Sequence, residues 1–226
     1  MTAMAQTIKI APEIGGVYQT MSQKLYGTER TTQFQLGLRI GGVVDIGFSK
    51  HFSLQPGLLF VTNSGSESNY RRDFSTGAGL PTSDEDRRRY HITYLKVPVY
   101  FLYKSGKEYY DPHFFIGGGP YFAYAIGGRF QQDYTNTLNG IDITKRYDYT
   151  MPVGNGPKDK IRPFDLGIQV TAGYETTFGL YFRAFYGIGV LNVAPDGNSA
   201  NNFHQQGGGL AIGYLFDLSH KEPWEM

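Results

Sequence analysis

The chain contains serine, histidine and carboxylate side chains that can be compared with catalytic and metal-binding patterns. Asp196, Ser199 and His204 lie within one short stretch and supply the three groups of a Ser-His-Asp triad. No Gly-x-Ser-x-Gly turn surrounds Ser199, so the turn that exposes such a nucleophile is missing. We therefore expect no catalytic residues and no enzymatic activity. The histidines share no metal-ligand spacing, and they are His51, His91, His113, His204 and His220.

Two kinds of run resemble ligand-binding loops but lack their essential features. The acidic run 84–86 could bind calcium, but the arginine run 87–89 follows at once and would neutralise it. The glycine and the distal glutamate of an EF-hand loop are also absent. The glycine runs 117–119 and 207–209 precede no predicted helix, so neither is a phosphate-binding loop. We expect no bound metal and no cofactor.

Composition narrows the fold class. The chain has 226 residues, a formal net charge of +1 and no cysteine, which excludes a disulfide framework and a thiol nucleophile. The balanced charge argues against a nucleic-acid partner. The sequence contains no run of 18 apolar residues, so no transmembrane helix is predicted. This test does not detect a membrane β-barrel, because its apolar residues alternate with polar ones. Together, 30 Gly, 18 Tyr and 16 Phe favour an all-β protein.

Apolar residues alternate with polar ones along much of the chain. Between residues 164 and 175, apolar side chains occupy the even positions, and polar residues or glycine occupy the odd ones. The apolar face carries no charge, although 18% of the chain is charged. The pattern predicts eight strands, with the apolar face odd-numbered only in 91–104. Besides 164–175, the predicted strands are 7–18, 35–48, 52–62, 91–104, 113–131, 179–191 and 206–218.

Glycine on the polar face indicates which face points outward. A soluble β-sandwich would present Lys and Glu to water on that face, whereas small residues suit a crowded lumen. The apolar face therefore points to lipid, which predicts an eight-stranded antiparallel up-and-down transmembrane β-barrel. The glycines are Gly37, Gly41, Gly47, Gly57, Gly117, Gly119, Gly167, Gly173, Gly187, Gly189, Gly209 and Gly213.

Nine charged residues are predicted to face the lumen. The interior of an eight-stranded barrel is just wide enough for side chains to fill it. We favour a plug of paired charges, in which Arg39 meets Glu13 of the neighbouring strand, and a selective pore is the alternative. The nine residues of this lumen charge network are Lys9, Glu13, Arg39, Asp45, Lys96, Asp165, Glu175, Arg183 and Asp217.

The connections and the aromatic residues support a membrane orientation. Long connections (19–34, 63–90, 132–162, 192–205) alternate with short ones, as extracellular loops alternate with periplasmic turns. Both termini are then periplasmic. Aromatic residues of the apolar face form two girdles. One contains Phe48, Phe52, Tyr103, Phe114, Tyr174, Phe182 and Phe216, and the other contains Tyr18, Phe60, Phe122, Tyr124 and Phe164.

Both ends of the chain, and four prolines, complete the expectations. Ala3 and Ala5 fit a signal-peptide cleavage site, so residues 1–5 are predicted to end a signal peptide. Residues 6–218 form the predicted barrel, and 219–226 form a periplasmic tail.

Proline removes a ladder donor, so we expect bulges at four positions inside strands. These are Pro12, Pro56, Pro98 and Pro120.

Two segments carry a resemblance to a known family. Residues 94–100 (YLKVPVY) and 115–122 (FIGGGPYF) resemble the PorT-like outer-membrane β-barrel family of Bacteroidota. Segments 14–16, 54–58, 165–167 and 212–216 fit as well. Some members of that family assist type IX secretion. In this chain ten residues follow Phe216, whereas barrels of this kind often end on a terminal aromatic residue.

Together these observations predict a barrel of the bacterial outer membrane. We expect a non-enzymatic structural or accessory subunit, of a secretion or envelope complex, that acts through long extracellular loops or its tail. The alternative is a channel for small solutes or hydrophobic compounds. The expected partners are outer-membrane lipid and other envelope proteins.

Overall fold

The structure is a computed structural model that describes residues 7–25, 28–31, 33–73, 82–106, 111–138, 141–150, 152–154, 162–192 and 202–218. It contains eleven strands. They are β1 (Thr7–Leu25), β2 (Thr28–Thr31), β3 (Gln33–Gly47), β4 (Phe52–Asp73), β5 (Thr82–Lys104), β6 (His113–Leu138), β7 (Ile141–Thr150), β8 (Phe164–Glu175), β9 (Leu180–Gly189), β10 (Asn202–Tyr214) and β11 (Phe216–Asp217).

Eight of these strands close into an antiparallel ring, which confirms the predicted fold class. Their order is β1, β3, β4, β5, β6, β8, β9, β10, and β10 pairs with β1 from Glu13↔Gly213 to Lys24↔Asn202. Closure leaves no free sheet edge within the ring, as a structure surrounded by lipid requires. Outside the ring, β2 and β11 pair with β1, and β7 pairs with β6.

The two faces of the barrel wall differ as the alternation predicts. In β8, Ile168 is 60% exposed on the outside, whereas the next residue, Gln169, is 1% exposed in the lumen. In β5 the numbering is reversed, with Phe101 and Tyr103 outside and Tyr100 and Leu102 buried inside. The outer face is therefore an apolar band, and the inner face holds the polar groups.

The two ends of the barrel are built differently. At the turn end, short connections join β3 to β4, β5 to β6 and β8 to β9, and Thr7 and Leu218 lie at this end. Gly179, in the β8–β9 turn, has φ 90°, which glycine adopts without strain. Outward-facing rings pack together there, including Phe52 with Phe101 and Phe114 with Tyr174.

At the opposite end, the hairpin end, the prediction of long loops is wrong for much of 19–34, 63–90 and 132–162. Strand β1 continues to Leu25 and pairs with β2 as far as Leu25↔Thr28. Strands β4 and β5 stay paired as far as Asp73↔Thr82, and β6 pairs with β7 as far as Leu138↔Ile141. We call residues 63–73, 82–93, 127–138 and β7 the projecting sheet. Its strands are polar, so a search for apolar alternation overlooks them.

The four strand prolines do not create the expected bulges. Pairing is interrupted beside Pro56, Pro98 and Pro120, but it resumes on each side in an unchanged register, and Pro12 pairs with Gly42. The register instead shifts in two places. One shift lies between residues 34 and 39 of β3, and the other lies between residues 93 and 94 of β5. The barrel thus tolerates lost ladder donors without inserting a residue.

Glycine makes room for two lumen tyrosines whose hydroxyl groups bind carboxylates. Tyr181 lies directly over Gly213, where an added Cβ would be 2.4 Å from the ring. Tyr121 lies in the same way over Gly167 on β8. A methyl group at either glycine would displace the ring, so these positions require glycine for close approach.

The structure describes neither end of the chain. The predicted signal-peptide end, residues 1–5, and the tail, residues 219–226, lie outside the described residues. Within the described part of the chain, no helix is long and apolar enough to span a membrane.

Candidate functional site

Glu13 is the centre of the buried charge network. Its Oε1 accepts a hydrogen bond from Arg39 Nε at 2.7 Å, and its Oε2 accepts one from the Tyr181 hydroxyl at 2.8 Å. Arg183 Nη1 lies 3.4 Å from the same Oε2. These side chains come from β1, β3 and β9, which places two guanidinium groups around one carboxylate. The structure thus brings Arg39 and Glu13 together as the sequence hypothesis proposes.

The network continues towards the turn end through Gln55. Arg183 Nη2 donates to Gln55 Oε1, and Gln55 Nε2 donates to Asp45 Oδ1 at 3.4 Å. Asp45 Oδ2 accepts a hydrogen bond from Lys104 Nζ at 2.6 Å. All four side chains are buried. Gln55 therefore links two groups of charges that would otherwise be separate.

Glu175 forms a second centre, nearer the turn end. Its Oε1 accepts from Lys9 Nζ at 2.9 Å, and its Oε2 accepts from Lys104 Nζ at 3.3 Å. His113 Nε2 lies 3.1 Å from Oε2. Glu175, on β8, thus contacts side chains of β1, β5 and β6.

Lys104 and His113 belong to this network but were missed by sequence reasoning. Lys104 is even-numbered in the one strand whose even positions face the lumen, so strand parity would have identified it. His113 is the first residue of β6 and is buried as well. It had been assigned to a strand end, where burial is hard to predict.

A smaller charged group lies nearer the hairpin end. Lys96 Nζ lies 3.5 Å from the centre of the Tyr121 ring, and the Tyr121 hydroxyl donates to Asp165 Oδ2 at 3.1 Å. Lys96 and Asp165 both belong to the nine charges predicted to face the lumen. Both contact Tyr121: Lys96 lies over the face of its ring, and Asp165 accepts a hydrogen bond from its hydroxyl group.

Asp217 is the one predicted lumen charge that the structure places elsewhere. It lies opposite Lys9 in the strand register but is exposed at the turn end. The reason is its position: Asp217 is the last residue of β11, at the edge of the barrel wall, whereas Leu215, two residues earlier on the same face, is buried as the alternation predicts. Asp217 therefore belongs to the rim of the lumen.

Apolar side chains fill the lumen around these charges. One buried cluster contains Tyr100, Leu102, Phe115 and Tyr181 near the turn end, and another contains Leu59, Val61 and Phe185. A third cluster lies near the hairpin end, where Val153 packs against it; its buried members are Ile92, Tyr94, Tyr121, Ala123 and Ala125. The lumen is therefore a packed core that contains ion pairs.

The residues considered for catalysis and metal binding are only partly described by the structure. Among the described residues, no group of three His, Asp or Glu side chains could hold a metal ion. Asp196 and Ser199 of the hypothetical triad lie outside the described residues. In the acidic run, Glu85 and Asp86 bind Arg87 and Arg88 at 2.8 Å and 3.0 Å, as the neutralisation argument expects.

The outer face of the projecting sheet, which continues the lipid-facing surface, carries exposed ion pairs. Arg146 Nε donates to Asp133 Oδ1 at 2.7 Å. This hydrogen bond holds the pKa of the Asp133 carboxyl below its usual value and raises the pKa of Arg146. Arg129 lies 3.7 Å from Asp148, and Arg89 lies 3.9 Å from Asp133. Water reaches these pairs, unlike those of the lumen.

The inner face of the projecting sheet, which continues the lumen wall, is more apolar. Phe130 packs against the lumen cluster of the hairpin end, and its register partner on β7 is Tyr149. All ten residues of β7 are exposed. We define the β7 stripe as the four apolar side chains of β7 on this face, Ile141, Ile143, Tyr147 and Tyr149, with Lys145 between the two pairs.

Solved structures of bacterial proteins are similar to this chain over most of its length. Ail, the attachment invasion locus protein of Yersinia pestis, shares 9% identity and a TM-score of 0.35, over 92% of this chain and 99% of Ail. Neisserial surface protein A shares 10% identity and a TM-score of 0.36, over 92% of this chain and 97% of that one. The N-terminal β-barrel domain of Pseudomonas aeruginosa OprF shares 10% identity and a TM-score of 0.28, over 91% and 97%.

A family model gives the firmer result. No curated protein matches the sequence. The model of the outer membrane protein beta-barrel domain, however, matches residues 4–192. This range includes the strands β1 to β9, whose lumen charges and lipid-facing band are described above. The chain therefore belongs to the outer membrane protein beta-barrel domain family and is a barrel of the bacterial outer membrane.

Proposed function

We propose that this barrel is a non-enzymatic structural or accessory subunit that binds other envelope proteins through the inner face of its projecting sheet. In this proposal the projecting sheet is extracellular, and both chain termini are periplasmic. The β7 stripe carries the proposal, because it presents four large exposed side chains outside the lipid-facing band. Exposed tyrosine and isoleucine side chains grouped on one face are typical of interaction sites.

The edge of β7 adds backbone groups to this surface. β7 pairs with β6 on one side, and no other strand among the described residues pairs with it. A partner with an extended segment could therefore add a strand to the sheet. Tyr147 and Tyr149, whose rings stack 6.2 Å apart, would then contact the side chains of that segment.

Site-specific photocrosslinking tests this surface. A benzoylphenylalanine at Tyr147 should form a protein adduct in native membranes, and Ile143→Asp should abolish the adduct by placing a charge in the stripe. The same probe at Thr144, on the opposite face of β7, is the matched control. Adducts at both positions, or at neither position, would reject the β7 stripe as a partner site.

The alternative function is a channel for small solutes or hydrophobic compounds. Both polar atoms of the buried Gln169 side chain lack a hydrogen-bond partner among the described residues, which favours some water in the lumen. The surrounding ion pairs and apolar clusters support a closed lumen instead. A planar-bilayer recording separates the two functions: we expect inserted barrels without conductance steps, and reproducible steps would favour the channel.

We place the chain, within its family, in the PorT-like branch as part of the same proposal. Its support is the resemblance of segments 94–100 and 115–122, which lie on neighbouring strands and meet at Val97↔Phe122 and Pro98↔Tyr121. Some members of that branch assist type IX secretion, so we include a role in secretion in this proposal. Normal protein secretion in a deletion strain would reject the role in secretion. The accessory function would still be decided by the crosslinking test.

A further inference from the structure

The outer face of the projecting sheet carries a group of cations directly above the lipid-facing band. Along β5 the outward positions are apolar from Tyr103 to Leu95, then Thr93 follows, and then His91, Arg89 and Arg87. On neighbouring β6, the exposed Tyr124 and Ile126 precede Arg129. The change from apolar to cationic residues therefore occurs at the same height on both strands.

The strand register orders these charges into levels. His91 is paired with Arg129 at the first level, Arg89 with Gln131 at the second, and Arg87 with Asp133 at the third. Successive levels are two residues apart, or about 6.6 Å along a strand. Strand β7 adds Asp148 at the second level and Arg146 at the third. The three levels contain four arginines, one histidine and two carboxylates, and no carboxylate is at the first level.

The carboxylates leave part of each guanidinium accessible. The side chains of Arg129 and Arg146 are 67% and 69% exposed, and that of Arg89 is 38% exposed. The contacts of Arg129 with Asp148 and of Arg89 with Asp133, at 3.7 Å and 3.9 Å, are longer than hydrogen bonds. A guanidinium has five donors, so these arginines retain donors for a further anion.

We propose that this outer face binds the phosphate groups of membrane lipid headgroups, with Arg89 and Arg129 as the main contacts. Headgroup phosphates lie just above the hydrocarbon, at the level where the apolar band of β5 and β6 ends. Basic residues at this depth are attracted to an anionic leaflet, and guanidinium matches phosphate geometry. The site goes beyond the accessory function and is independent of it, because the β7 stripe lies on the opposite face of the sheet.

Native mass spectrometry in a neutral detergent tests the proposal. The probes are diphosphoryl lipid A, the same lipid without phosphates, and inorganic phosphate. We expect the folded protein to bind the diphosphorylated lipid at least tenfold more tightly than the dephosphorylated one. Arg89→Gln with Arg129→Gln should weaken that binding about tenfold. Equal binding of the two lipids would overturn the proposal.

A matched double variant controls for net charge. Arg88→Gln with Lys145→Gln removes the same charge from β5 and β7 on the inner face, and binding should stay within twofold of the unmodified protein. If this control also weakens lipid binding tenfold, then net charge alone explains the loss, and the proposed site is refuted. Millimolar inorganic phosphate should not displace the lipid, and displacement would identify a free-phosphate site instead. If the outer-face double variant does not fold, Arg129→Gln alone, at the more exposed position, decides in the same way.

Discussion

Two ion pairs in this barrel have the same Nε–O distance of 2.7 Å but lie in opposite environments. Arg39 and Glu13 meet inside the lumen, where the side chains are 1% and 0% exposed. Arg146 and Asp133 meet on the projecting sheet, where the arginine side chain is 69% exposed and the aspartate side chain 15%. The comparison separates the effect of burial from that of geometry.

Burial makes the members of the lumen pair depend on each other. Removing a charge from water has a large cost, and the cost is offset only while every partner is in place. Glu13 has three partners on two other strands, so its network connects strands that do not pair with each other. In the projecting sheet, water can replace a lost partner, and exposed pairs usually contribute little. The lumen pairs are therefore needed for the stability of the barrel, whereas the outer pairs contribute little to stability and their charges stay accessible.

The largest expected effect is the loss of one lumen partner. Arg39→Met should lower the free energy of unfolding by about 3–5 kcal/mol, because the buried Glu13 loses its best hydrogen bond. Adding Glu13→Gln should restore part of the loss. Urea titration of the barrel in lipid vesicles measures both values. A loss below about 1 kcal/mol, together with measurable conductance, would instead indicate hydrated charges and a channel.

A charge on two exposed isoleucines tests where the membrane ends. Ile168, in the barrel wall, and Ile143, in the β7 stripe, are both largely exposed in the structure. Ile168→Arg should cost about 2–4 kcal/mol because the guanidinium enters hydrocarbon, whereas Ile143→Arg should cost less than about 0.5 kcal/mol. The same vesicle titration compares them. Equal costs would show that the projecting sheet is embedded in lipid as well.

Close packing is expected to matter in the lumen and not at the base of the projecting sheet. Gly213→Ala would place a methyl group 2.4 Å from the Tyr181 ring and push its hydroxyl away from Glu13. We expect a loss of about 1–3 kcal/mol. Gly127→Ala is the control, because nothing lies within 4 Å of its added Cβ, and it should be neutral or slightly stabilising. If the two variants have equal stability, then Tyr181 can move without cost.

The sequence predicts the barrel wall well because lipid imposes a strict rule on it. In β8, alternation gives the bounds 164–175 and the outward side of every residue, since each outward residue must be apolar. Strand parity alone also places Lys104 in the lumen, although the residue was overlooked. In the projecting sheet no such rule applies. β7 has isoleucine or tyrosine at odd positions except for Lys145, which interrupts the alternation, and its pairing with β6 is seen only in the register.

The connections within the charge network could not be predicted in the same way. Lys9 and Glu175 are 166 residues apart, and only the closed ring places both side chains at one level of the lumen. The adjacent strands β1 and β3 made Arg39 and Glu13 predictable, because their pairing is local in the chain. Alternation places Asp217 on the lumen side, opposite Lys9 in the register, but it does not predict that a charge on the last residue of β11 is exposed at the rim.

The smallest expected effect concerns the exposed pair, Asp133 and Arg146. The hydrogen bond from Arg146 lowers the pKa of Asp133 in the folded protein, so the pair stabilises the fold at pH values above the usual aspartate pKa, near 3.9. That contribution is lost as the pH falls through the lowered pKa, and it is constant at neutral pH. Arg146→Gln should raise the pKa of Asp133 towards its usual value, although Arg89 and Arg87 still lower it.

A carbon-13 titration of the Asp133 carboxyl by NMR, in detergent micelles, measures this change. The urea midpoint of Arg146→Gln at neutral pH should stay within the scatter of the unmodified barrel, because water solvates the carboxylate that loses its partner. The contrast with Arg39→Met then isolates burial, since the two pairs have the same distance and the same donor atom. A midpoint as low as that of Arg39→Met would mean that the projecting sheet and the lumen unfold as one cooperative unit.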